Sequence, residues 1–220
     1  MPSVDYRLNA IVDTDALGAD SLAQLARQAA EGGATLIQYR DKHGSTREMI
    51  ERARAILAAL DGTGVPMVVN DRADVAFAAG AAGVHLGRDD MDAETARRLL
   101  GPGAIIGVTV KSEDDADKAI AAPADYTCVG GVFETLSKHN PDPPVGIDGL
   151  ERLVARIRSI RPDLPVGAIA GIDLGRVPAV IAAGADGVAA ISAIFKADDA
   201  RAATTAFREA IDAALTRKRS

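Results

Sequence analysis

Short apolar runs typical of β-strands alternate with amphipathic runs typical of α-helices, and this alternation constrains the fold more than any other feature of the sequence. Alternating strands and helices predict a parallel sheet with right-handed crossovers. The predicted strands cover residues 7–12, 35–40, 67–70, 83–86, 104–110, 126–133, 166–170 and 187–191. Eight strand-and-helix pairs favour a single-domain (β/α)₈ barrel, a TIM barrel, over residues 1–220.

The predicted helices follow the strands and have ordinary start and stop signals. They cover residues 21–31, a stretch from residue 45, and residues 73–79, 93–100, 113–121, 150–160, 176–183 and 200–215. Ser45 and Glu48 have the spacing of a capping box. A doubly wound open sheet is the alternative fold. It would usually show a glycine-rich fingerprint after strand one, where this chain has Asp13 and Thr14 instead.

Charge and composition exclude several classes of function. The net charge of −6 argues against binding to nucleic acid or to an anionic membrane. The sequence has no signal-peptide pattern and no apolar stretch long enough to span a bilayer. The single cysteine, Cys128, lies in an apolar run and is predicted to be a core residue. A cytoplasmic enzyme is expected, and a homo-oligomer is compatible with the sequence.

In barrels of this kind the active site lies at the C-terminal ends of the strands. Strand two ends in Gln38, Arg40 and Lys42, which alternate onto one face. An amide and two cations that converge suit an anion next to a heteroaromatic ring. The alternative is a surface charge cluster paired with Asp41. The polar residues directly behind a buried strand favour a binding site.

Carboxylates follow two neighbouring strands. Asp71 comes after strand three, and Asp89 and Asp90 come after strand four. Two carboxylates completed by water and substrate phosphates are a usual way of holding Mg²⁺. The alternative for Asp71 is a helix N-cap, and Asp90 could precede the cap of the helix that begins near Asp92. His85 lies in mid-strand and is predicted to be a hydrogen-bonded barrel histidine rather than a metal ligand.

Further polar residues after strand six indicate a phosphate site. Thr135 and Ser137 offer hydroxyls and Lys138 offers a cation. The loop over residues 138–146 is long for a compact barrel, which suggests a lid.

Strands seven and eight are followed by Gly171 and Ser192, a second candidate phosphate cradle. Thr109 adds a hydroxyl after strand five, although β-propensity alone can explain a threonine there. Two anionic substrates, one of them a diphosphate, suggest group transfer with diphosphate as the leaving group.

Five motifs, kept in order along nearly the whole chain, resemble those of thiamine-phosphate synthases. They are Gln38-Tyr39-Arg40-Asp41-Lys42, Asn70-Asp71-Arg72, Gly83-Val84-His85-Leu86-Gly87, Thr135-Leu136-Ser137-Lys138, and Ala185-Asp186-Gly187-Val188 through Ile191-Ser192. The resemblance implies a transferase that joins hydroxymethylpyrimidine diphosphate to a carboxy- or hydroxyethyl-thiazole phosphate. The products are thiamine phosphate and diphosphate.

The resemblance also implies roles for individual residues. The pyrimidine diphosphate would contact Gln38, Tyr39, Arg40, Asp41, Lys42, Asn70, Thr109 and Lys138. The thiazole phosphate would contact Thr135, Leu136, Ser137, Gly171, Ile191 and Ser192, and Mg²⁺ would bind Asp71 and Asp90. Arg40, Thr109 and Lys138 would act at the reacting centre, in a dissociative substitution that needs no protein nucleophile. Two departures from the family pattern are Arg88, where glutamine is expected, and Ala170, where glycine is expected.

Three other functions fit parts of the same pattern. A thiazole tautomerase-like isomerase would share the scaffold without needing the diphosphate and Mg²⁺ residues. Another sugar-phosphate barrel enzyme would share the Gly171 and Ser192 cradle but not the strand-two motif. A non-catalytic phosphate-binding barrel could lack the carboxylates. The presence of Arg40, Asp71 and Asp90 favours the synthase.

Overall fold

Eight parallel strands pair in sequence order and close into a barrel, since β8 also pairs with β1. The computed structural model describes residues 4–19, 21–135 and 143–219. The strands are β1 Leu8–Asp13, β2 Leu36–Arg40, β3 Met67–Asn70, β4 Gly83–Leu86, β5 Ile105–Val110, β6 Tyr126–Val129, β7 Val166–Ala168 and β8 Gly187–Ala190. The closed order confirms the predicted (β/α)₈ barrel over the open-sheet alternative.

Helices pack around the outside of this barrel. They are α1 Thr14–Leu17, α2 Leu22–Glu31, α3 Thr46–Leu60, α4 Ala73–Ala79, α5 Ala93–Leu100, α6 Glu113–Ala121, α7 Gly146–Ile160, α8 Val177–Ala182, α9 Ser192–Phe195 and α10 Ala200–Arg219. The capping box at Ser45 and Glu48 is confirmed at the start of α3. Within the described ranges, no helix has both the length and the apolar character required to cross a bilayer.

The sequence-based boundaries are wrong at several strand and helix ends. Strands six and seven were predicted to reach residues 133 and 170, but they end at Val129 and Ala168. Gly131 and Ala170 have positive φ angles of 70° and 90°, which take the backbone out of the extended conformation. The short helices α1 and α9 were not predicted, and α7 begins at Gly146, before the predicted residue 150.

Side chains alternate between the interior of the barrel and the layer under the helices. The outward residues are mostly aliphatic and form the main core with the helices. Inside, the rings of Tyr6 and Tyr126 lie 4.8 Å apart. A Cβ at Gly167 would come within 1.7 Å of the Tyr6 ring, and one at Gly107 within 2.0 Å of the Tyr126 ring. The glycines therefore make room for two tyrosines that fill the barrel interior, and open space remains at the C-terminal ends of the strands.

Candidate active site

A cavity of about 130 Å³ opens at the C-terminal ends of the strands. The structure brings eight of the sixteen predicted site residues to its wall. Those that line it are Gln38, Arg40, Lys42, Asn70, Asp71, Thr109, Thr135 and Ile191. The clustering of residues from strands β2 to β8 follows from the parallel order, since the C-terminal end of each strand lies at the same rim of the barrel.

Arg40 is held at the cavity wall by a buried carboxylate. Its guanidinium donates to Asp13, which is paired with Arg40 in the strand register and has a side chain that is only 1% exposed. Asp13 also accepts hydrogen bonds from the backbone amides of Asp15 and Ala16, at 2.8 and 3.1 Å, and so caps α1. The Asp13 carboxylate therefore holds the guanidinium in place at the wall of the cavity, where a substrate anion would bind.

Tyr39 and Asp41 do not line this cavity, because strand alternation turns them to the opposite side. The Tyr39 hydroxyl donates to Asp41 at 2.9 Å, and Arg52 donates to the same carboxylate at 2.7 Å. Burial acts to raise the pKa of Asp41, but hydrogen bonds from the amides of Gly44 and His43 and from the two side chains outweigh it and lower the pKa to about 2. Tyr39 and Asp41 thus lie behind the cavity wall and brace the loop that presents Lys42.

Asp71 and Asp90 lie side by side, as the Mg²⁺ hypothesis requires. Burial raises the pKa of Asp90, and its hydrogen bond to the Asp71 carboxylate and the charge of that group raise it further. Burial also acts to raise the pKa of Asp71, but hydrogen bonds from Asp90 and Lys42 outweigh it and lower the pKa overall. The amide of Gly87 donates to Asp90 at 2.7 Å. Asp89 is exposed, so the pair is formed by Asp71 and Asp90.

The N-cap alternative for Asp71 is wrong. The N-cap position of α4 is Arg72, which makes no side-chain capping bond, and α5 is capped by Asp92. In the described part of the chain, no group of three or more histidine, cysteine or acidic side chains could enclose a metal ion. Two adjacent carboxylates are a hard-oxygen donor set that fits Mg²⁺ only with water and substrate oxygens completing its coordination.

His85 is a hydrogen-bonded barrel histidine, as the sequence predicted. Its Nε2 lies 2.9 Å from the Thr109 hydroxyl and its Nδ1 lies 3.0 Å from the Tyr126 hydroxyl. Thr109 therefore faces the cavity with its oxygen already engaged, which β-propensity alone does not explain.

A groove of about 430 Å³ adjoins the cavity and contains the predicted thiazole-phosphate residues Thr135, Gly171, Ile191 and Ser192. Gly171 has a φ of 63°, and a Cβ there would lie 2.3 Å from the carbonyl oxygen of Glu134. Helix α9 begins at Ser192, directly after β8 ends at Ala190. The groove therefore brings together Gly171 and Ser192, the residues predicted to form a phosphate cradle.

The remaining predicted residues of this region, Leu136, Ser137 and Lys138, lie outside the described residues, as does most of the 138–146 loop. Arg88, which differs from the family pattern, forms an ion pair with Asp115 at 3.1 Å. Arg88 does not line the cavity.

Sequence reasoning missed Asp13 and Lys111 as site residues. Lys111 lines the cavity two positions after Thr109. Both could have been found by applying the same alternation to strands one and five that was applied to strand two. Lys111 follows Thr109 on the cavity wall, and Asp13 follows Ile11 and contacts Arg40.

Comparison with known proteins shows the family to which the chain belongs. Residues 8–194 match the family model described as "Thiamine monophosphate synthase". A thiamine-phosphate synthase of Agrobacterium fabrum is 66% identical over 98% of each chain, and one of Vibrio parahaemolyticus is 43% identical over 88% of this chain and 92% of that one. The solved structure of thiamine phosphate pyrophosphorylase from Pyrococcus furiosus superposes with a TM-score of 0.84, at 36% identity over 97% of this chain and 98% of that chain. This chain belongs to the thiamine monophosphate synthase family.

Proposed function

We propose that the protein condenses hydroxymethylpyrimidine diphosphate with a thiazole phosphate, releasing diphosphate and forming thiamine phosphate, with Mg²⁺ at Asp71 and Asp90. The central observation in support is that the cavity and the groove share wall residues, among them Thr135, Ala170 and Ile191. Two anions bound in these adjoining spaces would place their organic parts close together, as a transfer between two substrates requires.

The cavity side suits the pyrimidine diphosphate. Arg40 and Lys42 supply positive charge for a departing diphosphate, and such fixed charge is among the largest contributions to catalysis. Gln38 and Asn70 offer amide groups that can orient a pyrimidine ring. Bound Mg²⁺ would neutralise charge on the diphosphate oxygens.

The groove side suits the thiazole phosphate. Gly171 allows close backbone approach, and the first turn of α9 at Ser192 presents N–H donors. The described part of the site supplies no activated nucleophile. Burial raises the pKa of the Cys128 thiol to about 12, so it stays protonated. A substitution in which the leaving group departs before the thiazole nitrogen attacks is consistent with this chemistry.

The alternative functions lack support from the cation and carboxylate cluster. An isomerase acting on a thiazole phosphate alone would have no use for Arg40, Lys42, Asp71 and Asp90 at one rim. The same argument applies to a barrel that only binds a phosphorylated ligand. The proposal includes a cytoplasmic location, because the phosphorylated substrates are charged. It also allows a homo-oligomer, and light scattering on the purified protein would measure the oligomeric state.

The test is a turnover assay with both substrates, with and without Mg²⁺, that follows diphosphate release and thiamine phosphate. Product is expected only with both substrates and the metal. Arg40→Gln should raise the KM for the pyrimidine diphosphate, and Ser192→Ala should raise that for the thiazole phosphate. Arg201→Gln on the exposed surface of α10 is the matched control. Folded protein that binds the thiazole phosphate but forms no product would refute the proposal.

A further inference from the structure

A hydrogen-bonded chain of three side chains runs from the cavity surface into the barrel interior. The Thr109 hydroxyl lines the cavity and lies 2.9 Å from His85 Nε2. The other ring nitrogen, Nδ1, lies 3.0 Å from the hydroxyl of Tyr126, which is fully buried. The chain therefore links a substrate-facing hydroxyl to a group that no substrate touches.

Gly107 makes this chain sterically feasible. The strand register places Gly107 between His85 on β4 and Tyr126 on β6. A Cβ at position 107 would lie 2.0 Å from Cζ of Tyr126 and 2.3 Å from its hydroxyl oxygen. Because the side chain is missing, the Tyr126 ring crosses β5 and stacks on His85, with ring centres 5.6 Å apart and planes inclined by 18°.

The buried hydroxyl of Tyr126 determines which group donates each hydrogen bond in this series. Among the described residues, its hydrogen-bond partner is His85 Nδ1 alone. If the hydroxyl accepted a hydrogen bond there, its own hydrogen would be buried without an acceptor, at a substantial cost. Burial raises the pKa of Tyr126 well above its ordinary value, so the hydroxyl keeps that hydrogen. Tyr126 therefore donates to Nδ1, and His85 carries its hydrogen on Nε2.

We propose that Tyr126 and His85 are positioning residues that fix the Thr109 hydroxyl as a hydrogen-bond donor toward the substrate. Since Nε2–H donates to Thr109 Oγ1, the hydroxyl hydrogen is left to point into the cavity. The substrate atom that it meets is then an acceptor, such as a ring nitrogen of an aminopyrimidine. The inference rests on the proposed function, because it requires Thr109 to contact the pyrimidine diphosphate.

The first experiment reads the tautomer of His85 without any substrate. Protein labelled with ¹⁵N-histidine would be studied by long-range ¹H–¹⁵N correlation at neutral pH, and His85→Gln would identify the signals among those of the other histidines, His43 and His139. The Nε2–H tautomer is expected for His85. An Nδ1–H tautomer or a doubly protonated ring would overturn the proposal, whether or not the protein is a synthase.

The second experiment is a double-mutant cycle on the turnover reaction. Tyr126→Phe keeps the stacked ring but removes the donor, and kcat/KM for the pyrimidine diphosphate should fall about five- to tenfold, the size expected for one neutral hydrogen bond. The KM for the thiazole phosphate should not change. In a Thr109→Val background, Tyr126→Phe should have no further effect.

Additive losses in this cycle would mean that Tyr126 acts through packing rather than through Thr109, and would overturn the proposal. Tyr6→Phe is the matched control, since it removes the hydroxyl of the neighbouring buried ring, which accepts a hydrogen bond from the Asn9 amide at 3.4 Å. Absence of turnover in the wild-type protein would instead count against the proposed function, and the tautomer result would still stand on its own.

Discussion

Replacing Asp90 with asparagine should stabilise the metal-free protein and should reduce the further stabilisation that Mg²⁺ gives. Asp71 and Asp90 are close enough to share a hydrogen bond, and each alters the pKa of the other. Two full charges about 4 Å apart repel by about 4 kcal/mol at an effective dielectric constant near 20. Lys42, which donates to Asp71, offsets part of this repulsion.

The net effect of the substitution is smaller than the full repulsion, because Lys42 offsets part of it and solvent screens the partly exposed site. Asparagine keeps an oxygen for the Gly87 amide and gains a donor for Asp71. We expect Asp90→Asn to stabilise the metal-free protein by about 1 kcal/mol, which for a chain of this size is about 2–4 °C in melting temperature. High salt should reduce the gain, since the site is partly exposed.

In the presence of Mg²⁺, we expect the wild-type protein to be more stable than the variant. A ligand that binds only the folded state adds about 1.4 kcal/mol at ten times its dissociation constant, and the variant should lose most of that increment because it has one carboxylate fewer. Thermal unfolding in EDTA and in a Mg²⁺ titration would measure both effects. Asp89→Asn, at the exposed neighbouring position, is the matched control and should change neither. A variant that is less stable in EDTA, or that Mg²⁺ stabilises as much as the wild type, would refute the reasoning.

Two further predictions concern positions beside the site. The folded-state pKa of Asp41, about 2, lies below the unfolded value of 3.8, so its stabilisation is present above about pH 4 and is lost as the pH falls toward 2. Asp41→Asn should therefore lower the free energy of unfolding by about 2 kcal/mol at pH 7 and by about 1 kcal/mol less at pH 3. Urea unfolding would measure both values. A difference between wild type and variant that does not depend on pH would contradict this reasoning. Ala170→Gly should stabilise the fold by about 0.5–1 kcal/mol, because the φ of 90° strains alanine more than the added chain entropy costs. Ala168→Gly in β7 should instead destabilise it, and a loss of stability in both variants would refute the strain argument.

The sequence was sufficient to predict the closed barrel and the rim at which the site lies, because period-2 and helical patterns repeat eight times. It failed at Ala170, which was placed in an extended strand although glycine, the residue type that readily adopts positive φ, is expected there. It also did not separate Tyr39 and Asp41 from the residues that line the cavity. A contiguous motif was taken as a block, although strand alternation sends every second side chain to the other face.

The Tyr126, His85 and Thr109 chain shows a different limit. His85 alone is an ordinary barrel histidine, and Tyr126 alone is an ordinary core residue. Their contact depends on Gly107 of β5, which lies between the two rings in the strand register. A relation among three strands can be derived only once the register is known, since a shift of one residue would turn each side chain to the opposite face.

The charges at the rim also imply that metal and diphosphate binding are linked. In the structure, Arg40 is paired with Asp13 and Lys42 with Asp71, so both cations already have a carboxylate partner before any substrate arrives. A metal ion at Asp71 would compete with Lys42 for that carboxylate and leave the ammonium group available to a phosphate. Metal binding should therefore strengthen diphosphate binding, and by reciprocity diphosphate should strengthen metal binding. Among the described residues, Asp71 and Asp90 are the adjacent carboxylates available to a metal ion, so water and diphosphate oxygens would have to complete its coordination.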